Sequence, residues 1–133
     1  MRLLAEAESY PEVRTQVEVV VTHLETCSVA VLAASKRGEI DESTKAEIAN
    51  KAASILSAIV QACLEVSLRL GWFLLFGIFA KIDVCLKVLI TNLGASSEGL
   101  VVLIAKTVAS TCAQLLISLN FNQSMGALAI TSL

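Results

Sequence analysis

His23 and Cys27 stand four residues apart in a stretch with helical periodicity, so an imidazole and a thiol can face the same way. That pair is the minimum for a thiolate with its base, or for two ligands of a metal. Either chemistry needs a further group to orient or complete it, and none stands at helical spacing from either residue. The pair therefore reads as a histidine at the edge of a helix face above a core cysteine. The other cysteines, Cys63, Cys85 and Cys112, match no CxxC or zinc-type spacing. All four lie inside helical patterns, which predicts free thiols packed as small core hydrophobes, although an even number also permits disulfides. There is no Glu-x-x-His pair of the di-iron type, no Gly-rich phosphate loop, no GxSxG and no Walker sequence. The residues point away from an enzyme and imply no cofactor and no metal.

The elements that carry these residues are helical. Pro11 and Glu12 after Ser9-Tyr10 open a helix, and Val13, Val17, Val20, Leu24, Cys27 and Val31 give it one apolar face. A strand through Gln16 to Val21 is the rival, since that segment is β-branched; the period kept for some five turns favours helix. Gly38 is placed to end it, and KRGEIDESTK, Lys36 to Lys45, reads as an exposed charged turn in which Asp41 or Ser43 caps the next helix. There Ile48, Ala52, Ile55, Ile59, Cys63 and Val66 form one stripe and Asn50, Ser54, Ser57, Gln61, Glu65 and Arg69 the opposite one, with Gly71 as the stop.

A third helix begins in Leu70 to Ala80, LGWFLLFGIFA, and runs to Asn92 or Leu93, with Gly94 as its stop. Lys81, Asp83, Lys87 and Thr91 are expected to face water. Stepping back along that polar stripe reaches Ala80, Phe76 and Phe73, so a face that should be wet carries aromatic rings. Ser96-Ser97-Glu98 opens a fourth helix, Val101 to Leu119, and FNQSMGALAITSL reads as a loose or short-helical tail whose Met125, Leu128, Ile130 and Leu133 need somewhere to pack. Glu65 with Arg69 and Asp83 with Lys87 read as surface pairs.

Four helices joined by short turns within 133 residues predict one all-α domain, residues 1–133, folded as an up-down-up-down four-helix bundle with a short apolar C-terminal tail. That topology sends Tyr10, Trp72, Phe73, Phe76, Phe79 and Phe121 to a single end, an aromatic pole opposite a charged one. With Met125 and Leu128 from the tail, these residues are the expected interaction surface. The alternative is that the rings form a bulky plug covered by the tail.

Hydrophobic residues make up 56% of the chain and its mean hydropathy is +0.75, above the roughly 45 to 50% of ordinary soluble domains. The surplus suits a partner, a ligand or a lipid. Net charge is −2 and no basic cluster exceeds Lys36-Arg37, which argues against nucleic acid. The apolar run Leu3 to Ala5 is too short for a signal-peptide core, so the expectation is either that the protein is not exported by that route or that a leader is missing from this chain. Leu70 to Ala80 is shorter than the roughly 20 residues of a membrane span, and Gly99 to Leu119 has a polar side at Lys106, Ser110, Thr111 and Gln114.

The segments CLEVSLRLGWFLLFGIFAKIDVCLKVLITNLG, GLVVLIAKTVAS and LLISLNFNQSMGAL, from Cys63 onward, resemble a group of small, secreted hydrophobic helical proteins of mushroom-forming (basidiomycete) fungi. The resemblance implies a secreted or cell-surface protein, of the kind that builds wall or hyphal surfaces, and identifies no functional residue. The expectation is a non-enzymatic amphipathic helical protein that self-assembles into a homo-oligomer, or adsorbs at an apolar surface, through its aromatic pole. The alternatives are a carrier of a lipid or other apolar small molecule in the bundle core, and an integral membrane protein.

Overall fold

Helix α2, Tyr10–Lys36, starts where the sequence places it, with Ser9 Oγ accepting the Glu12 N–H at 3.3 Å and the Glu12 carboxylate reaching back to the Glu8 N–H at 3.0 Å. The structure, a computed structural model, describes residues 2–36, 42–96 and 99–128. Seven helices are found among these residues and no strand: α1 (Arg2–Ala5), α2, α3 (Glu42–Leu70), α4 (Trp72–Ser96), α5 (Leu100–Thr111), α6 (Ala113–Ser118) and α7 (Asn122–Ala127). The protein is all-α. Gly38, Asp41, Ser97, Glu98, Ile130 and Leu133 lie outside the described residues, as do the side chains of Ser43, Trp72 and Ser96.

The predicted apolar faces are the buried ones, with one shift. Val13, Val17, Val20 and Leu24 of α2 are buried, and Cys27 and Val31 half-buried. On α3 the inner line runs through Ala52, Leu56, Ile59, Cys63 and Val66, and Ile55 is left partly exposed because Leu56 takes the inward position beside it. Gly71 ends α3 as expected, with φ +95° and its N–H donated to the Ser67 carbonyl at 2.8 Å.

Gly94 does not end α4. The helix continues to Ser96, and a Cβ at Gly94 would stand 2.6 Å from Val101 Cγ2, so this glycine lets the start of α5 lie against the α4 backbone. The single fourth helix expected from Val101 to Leu119 is broken at Cys112. The cause is local: Thr107, Ser110 and Thr111 return their hydroxyls to carbonyls three or four residues back, two of them to the Thr107 oxygen. At the end of α6, Asn120 turns left-handed (φ 58°), donating to Ile117 O while the Phe121 N–H reaches Leu116 O at 3.0 Å. This Schellman closure reverses the chain and sends α7 back along α4.

The closest helix pairs are non-consecutive. Helix α2 packs on α4, α3 on α5, α7 on α4 and α1 on α3, whereas α2 and α3 approach each other little among the described residues. Arg69, in the last turn of α3, donates its guanidinium to the Ala5 carbonyl and to the Ala7 carbonyl, the latter at 2.7 Å. This brings the end of α3 beside the start of α2, and one residue later α4 begins at the same end. Arg69 is thus committed to the α1 segment and not to a surface pair with Glu65. One contiguous apolar core joins all of this, from Leu4 to Leu128.

Candidate interaction face

Helix α4 decides what the surface presents. Its inner positions, Leu75, Ile78, Phe79, Ile82, Leu86, Leu89 and Ile90, are buried between α2, α3, α5 and α7. Starting from Phe73, steps of three and four residues along the opposite face give Phe76, Ala80, Val84 and Val88, and every one is exposed. Phe73 stands 90% exposed and Phe76 and Val84 half so. Leu74, on the same turn as Phe73, and Leu68, at the end of α3, add exposed leucines at this end of the molecule. Tyr10, at the start of α2, is partly exposed.

The residues expected to form one aromatic surface are therefore divided. Phe73, Phe76 and Tyr10 reach the surface, whereas Phe79 (2% exposed), Phe121, Met125 and Leu128 are buried within the chain. The reason is the tail. Helix α7 lies on α4 and closes over Phe79, so the tail and one of the rings form a plug. The Trp72 side chain lies outside the described residues.

The buried Asp83 holds that plug in place. Expected at the surface with Lys87, its side chain is instead 6% exposed and turned toward α7. Its Oδ2 accepts the Gln123 N–H at 3.0 Å, and its Oδ1 accepts the Ser124 N–H at 2.9 Å and the Ser124 hydroxyl at 2.6 Å. A carboxylate from a helix some forty residues away supplies the N-terminal cap of α7. Sequence periodicity misses this, because a lone Asp between Ile82 and Val84 looks like the wet side of the helix. The true outer stripe passes through Val84.

Beside the stripe lies a surface cleft of about 320 Å³ whose walls are Phe76, Ala80 and Val84 of α4 and the segment Leu119 to Gln123. Lys81, on the α2 side, is paired with Glu18 at 3.2 Å.

His23 is exposed on α2 while Cys27 is half-buried. No group of three or more potential metal ligands occurs among the described residues. The four cysteines are free. Burial pushes the Cys63 thiol up to about 12. Cys85 is raised by burial and then by Glu25 and Glu18, and Cys112 by burial, partly offset by a hydrogen bond with Thr111. These three shifts oppose formation of the reactive thiolate.

Two helical segments are long and apolar enough to cross a membrane by length and composition, Tyr10–Ala34 and Thr44–Leu70. Neither is a stretch weighed for this from the sequence: Leu70 to Ala80 is the start of the longer α4, and Gly99 to Leu119 is divided between α5 and α6. Comparison of the chain with protein-family models, curated proteins and solved structures gives no match.

Proposed function

We propose that this chain is a non-enzymatic amphipathic helical protein that associates with itself, or adsorbs at an apolar surface, through the outer face of α4 and the leucines at its start. The observation that carries the reading is the 90% exposure of Phe73 at the head of a helix face on which Phe76, Ala80, Val84 and Val88 are also exposed. Burying a large ring is worth roughly 1.5 to 3 kcal/mol, so two phenylalanines with flanking aliphatics supply a drive to associate. In this reading α2, α3, α4 and the α5–α6 pair act as the four rods of an up-down-up-down bundle in which parallel, non-consecutive rods pack closest. The resemblance to secreted surface proteins of mushroom-forming fungi agrees with a structural role outside the cell. A carrier would instead need an enclosed apolar cavity between the rods, whereas the clefts beside Ile55, Val84, Ser57 and Pro11 open to the surface.

The test is molar mass by light scattering across a dilution series in detergent-free buffer. The native chain is expected to gain mass with concentration. Phe73→Asp with Phe76→Asp is expected to keep the same circular dichroism and remain monomeric. A native chain that is monomeric throughout and fails to bind an air–water or lipid interface sinks the reading.

A further inference from the structure

The α4 wall of the cleft runs from Phe76 to Val84, and its far end at Val84 is eleven residues from Phe73, three helical turns and about 16 Å along one face. A protruding ring and a hollow beside the same stripe make that stripe complementary to itself under a two-fold rotation that sets two α4 helices antiparallel. In the register that lays Phe73 of one copy against Val84 of the other, the reverse contact follows by symmetry. The cleft is about 320 Å³, and an apolar cavity of about 150 Å³ accommodates benzene, so a phenyl ring has room.

The same register brings Gly77 of one copy against Ala80 of the other at the crossing point. Gly77 sits in the middle of a helix turn, exposed, where a Cβ would meet nothing within 4 Å. A glycine at such a position costs about 1 kcal/mol of helix stability relative to alanine, and nothing among the described residues requires it. At a helix crossing, its missing side chain lets two backbones approach.

Area and charge favour a second copy over a membrane. By ordinary side-chain areas, the exposed parts of Phe73, Leu74, Phe76 and Val84, which lie within the helix overlap of this register, come to roughly 450 Å². Two copies together thus bury about 900 Å² of apolar side chain, in the range of a weak, transient dimer. Helices that lie on membranes carry a polar face rich in Lys and Arg. Helix α4 has only Lys81, already paired with Glu18, and Lys87, on a chain of net charge −2.

We infer that the partner of the α4 face is a second copy of this chain, docked antiparallel about a two-fold axis, with Gly77 and Ala80 at the crossing and each Phe73 seated in the other copy's cleft at Val84. This rests on the reading of the α4 face as an association surface.

The test places the photo-crosslinking amino acid benzoylphenylalanine at position 73 of the full chain and maps the products by mass spectrometry. Mixed isotopically labelled and unlabelled copies identify links between chains. Links from position 73 to the region of Val84 or Asn122 of another copy are expected. As a second variant, Gly77→Leu should fold, since its site is open within the chain, yet weaken self-association by roughly tenfold or more. If Phe73→Asp with Phe76→Asp abolishes association while Gly77→Leu leaves it intact, or if the links fall elsewhere, the antiparallel docking is overturned and the association surface stands. If the native chain stays monomeric and position 73 links to no second copy, the inference fails, and the reading of the α4 face fails with it only when the chain also binds no air–water or lipid interface. If position 73 links only to lipid when vesicles are added, the partner is a membrane and the inference fails.

Discussion

Asp83 Oδ1 and Ser124 Oγ lie 2.6 Å apart in a buried hydrogen bond that joins the middle of α4 to the first turn of α7. The Ser124 hydroxyl is also within 3.1 Å of the Asp83 carbonyl oxygen, so the pair is bound to both the side chain and the main chain of one residue. The consequence is positional. Phe121, Met125 and Leu128 are held over α4 by a polar lock that only a carboxylate at position 83 can complete in full, and they cover Phe79 instead of joining the exposed rings.

Asp83→Ala should therefore release the tail. It removes three acceptor contacts and leaves two α7 amides without an acceptor, while the Ser124 hydroxyl keeps the main-chain carbonyl of residue 83, for a loss of about 2 kcal/mol. Asp83→Asn, which keeps one acceptor oxygen, should cost about half as much. Urea denaturation gives the stability, and amide hydrogen exchange should show protection lost first over Asn122–Ala127. A tail that stays protected in Asp83→Ala would refute the lock.

Arg69→Ala should loosen the other end of the chain. The guanidinium is bound by the carbonyls of Ala5 and Ala7. Loss of a charge-assisted contact to main-chain acceptors is worth about 1–2 kcal/mol. Because Leu4 and Ala7 are buried beneath it, exchange should accelerate over residues 2–9 with little change in α7. Arg69→Lys should recover only part, since a single ammonium does not reproduce the two-sided fork.

The helices were legible in the sequence wherever an apolar period of three and four was unbroken, as in Val13 to Leu24 and Ala52 to Val66. Glycine punctuation was legible at Gly71, where φ is positive, and misleading at Gly94, where the demand is for space and comes from Val101. What failed at Asp83 was the assumption that a charged residue on a helix faces water, whereas Arg69 is exposed as expected and only its partner was missed. Asp83 and Arg69 each satisfy main-chain groups about forty and sixty residues away, and no local pattern encodes a partner at that distance. The exposed rings at Phe73 and Phe76 were visible from the period alone. The burial of Phe121 depended on the Asn120 reversal, which one asparagine in a polar segment does not announce.

Cys63 gives a pH dependence with a definite sign. Its thiol is pushed up to about 12 by burial, from an ordinary value of 9.0. Below pH 9 the thiol is neutral in both states and its contribution is complete. Above pH 9 the unfolded chain gives up this proton while the folded chain keeps it, so stability falls with rising pH until about pH 12. The slope from this one group is about 1.4 kcal/mol per pH unit. Cys63→Ala removes it, and although the variant is less stable at pH 7 its alkaline slope should be shallower by close to one proton. Urea midpoints at pH 8, 9, 10 and 11 measure the difference; parallel curves would show that the thiol ionises freely in the fold. At pH 8 in native buffer, a thiol reagent should label Cys27 and Cys85 before the buried Cys63 and Cys112.

Two glycines of α4 should respond oppositely to the same change. At Gly94 a new Cβ meets Val101 Cγ2 at 2.6 Å, and the contact can be relieved only by moving the start of α5 or the rotamer of a half-buried valine. Gly94→Ala should therefore lose about 1–2 kcal/mol despite alanine's better helix propensity. Gly94→Ala combined with Val101→Ala, which removes the clashing methyl, should recover part of that loss, a non-additivity expected of residues in contact. At Gly77 a new Cβ meets nothing within 4 Å beyond its own helix backbone, so in dilute solution Gly77→Ala should gain about 0.5–1 kcal/mol from helix propensity alone. If self-association is instead the dominant source of stability at working concentration, that gain should shrink as the protein is concentrated, because the added methyl stands where two copies of α4 cross. Thermal unfolding of native and Gly77→Ala chains at low and high concentration separates the two contributions: curves offset equally at both concentrations would remove Gly77 from any interface.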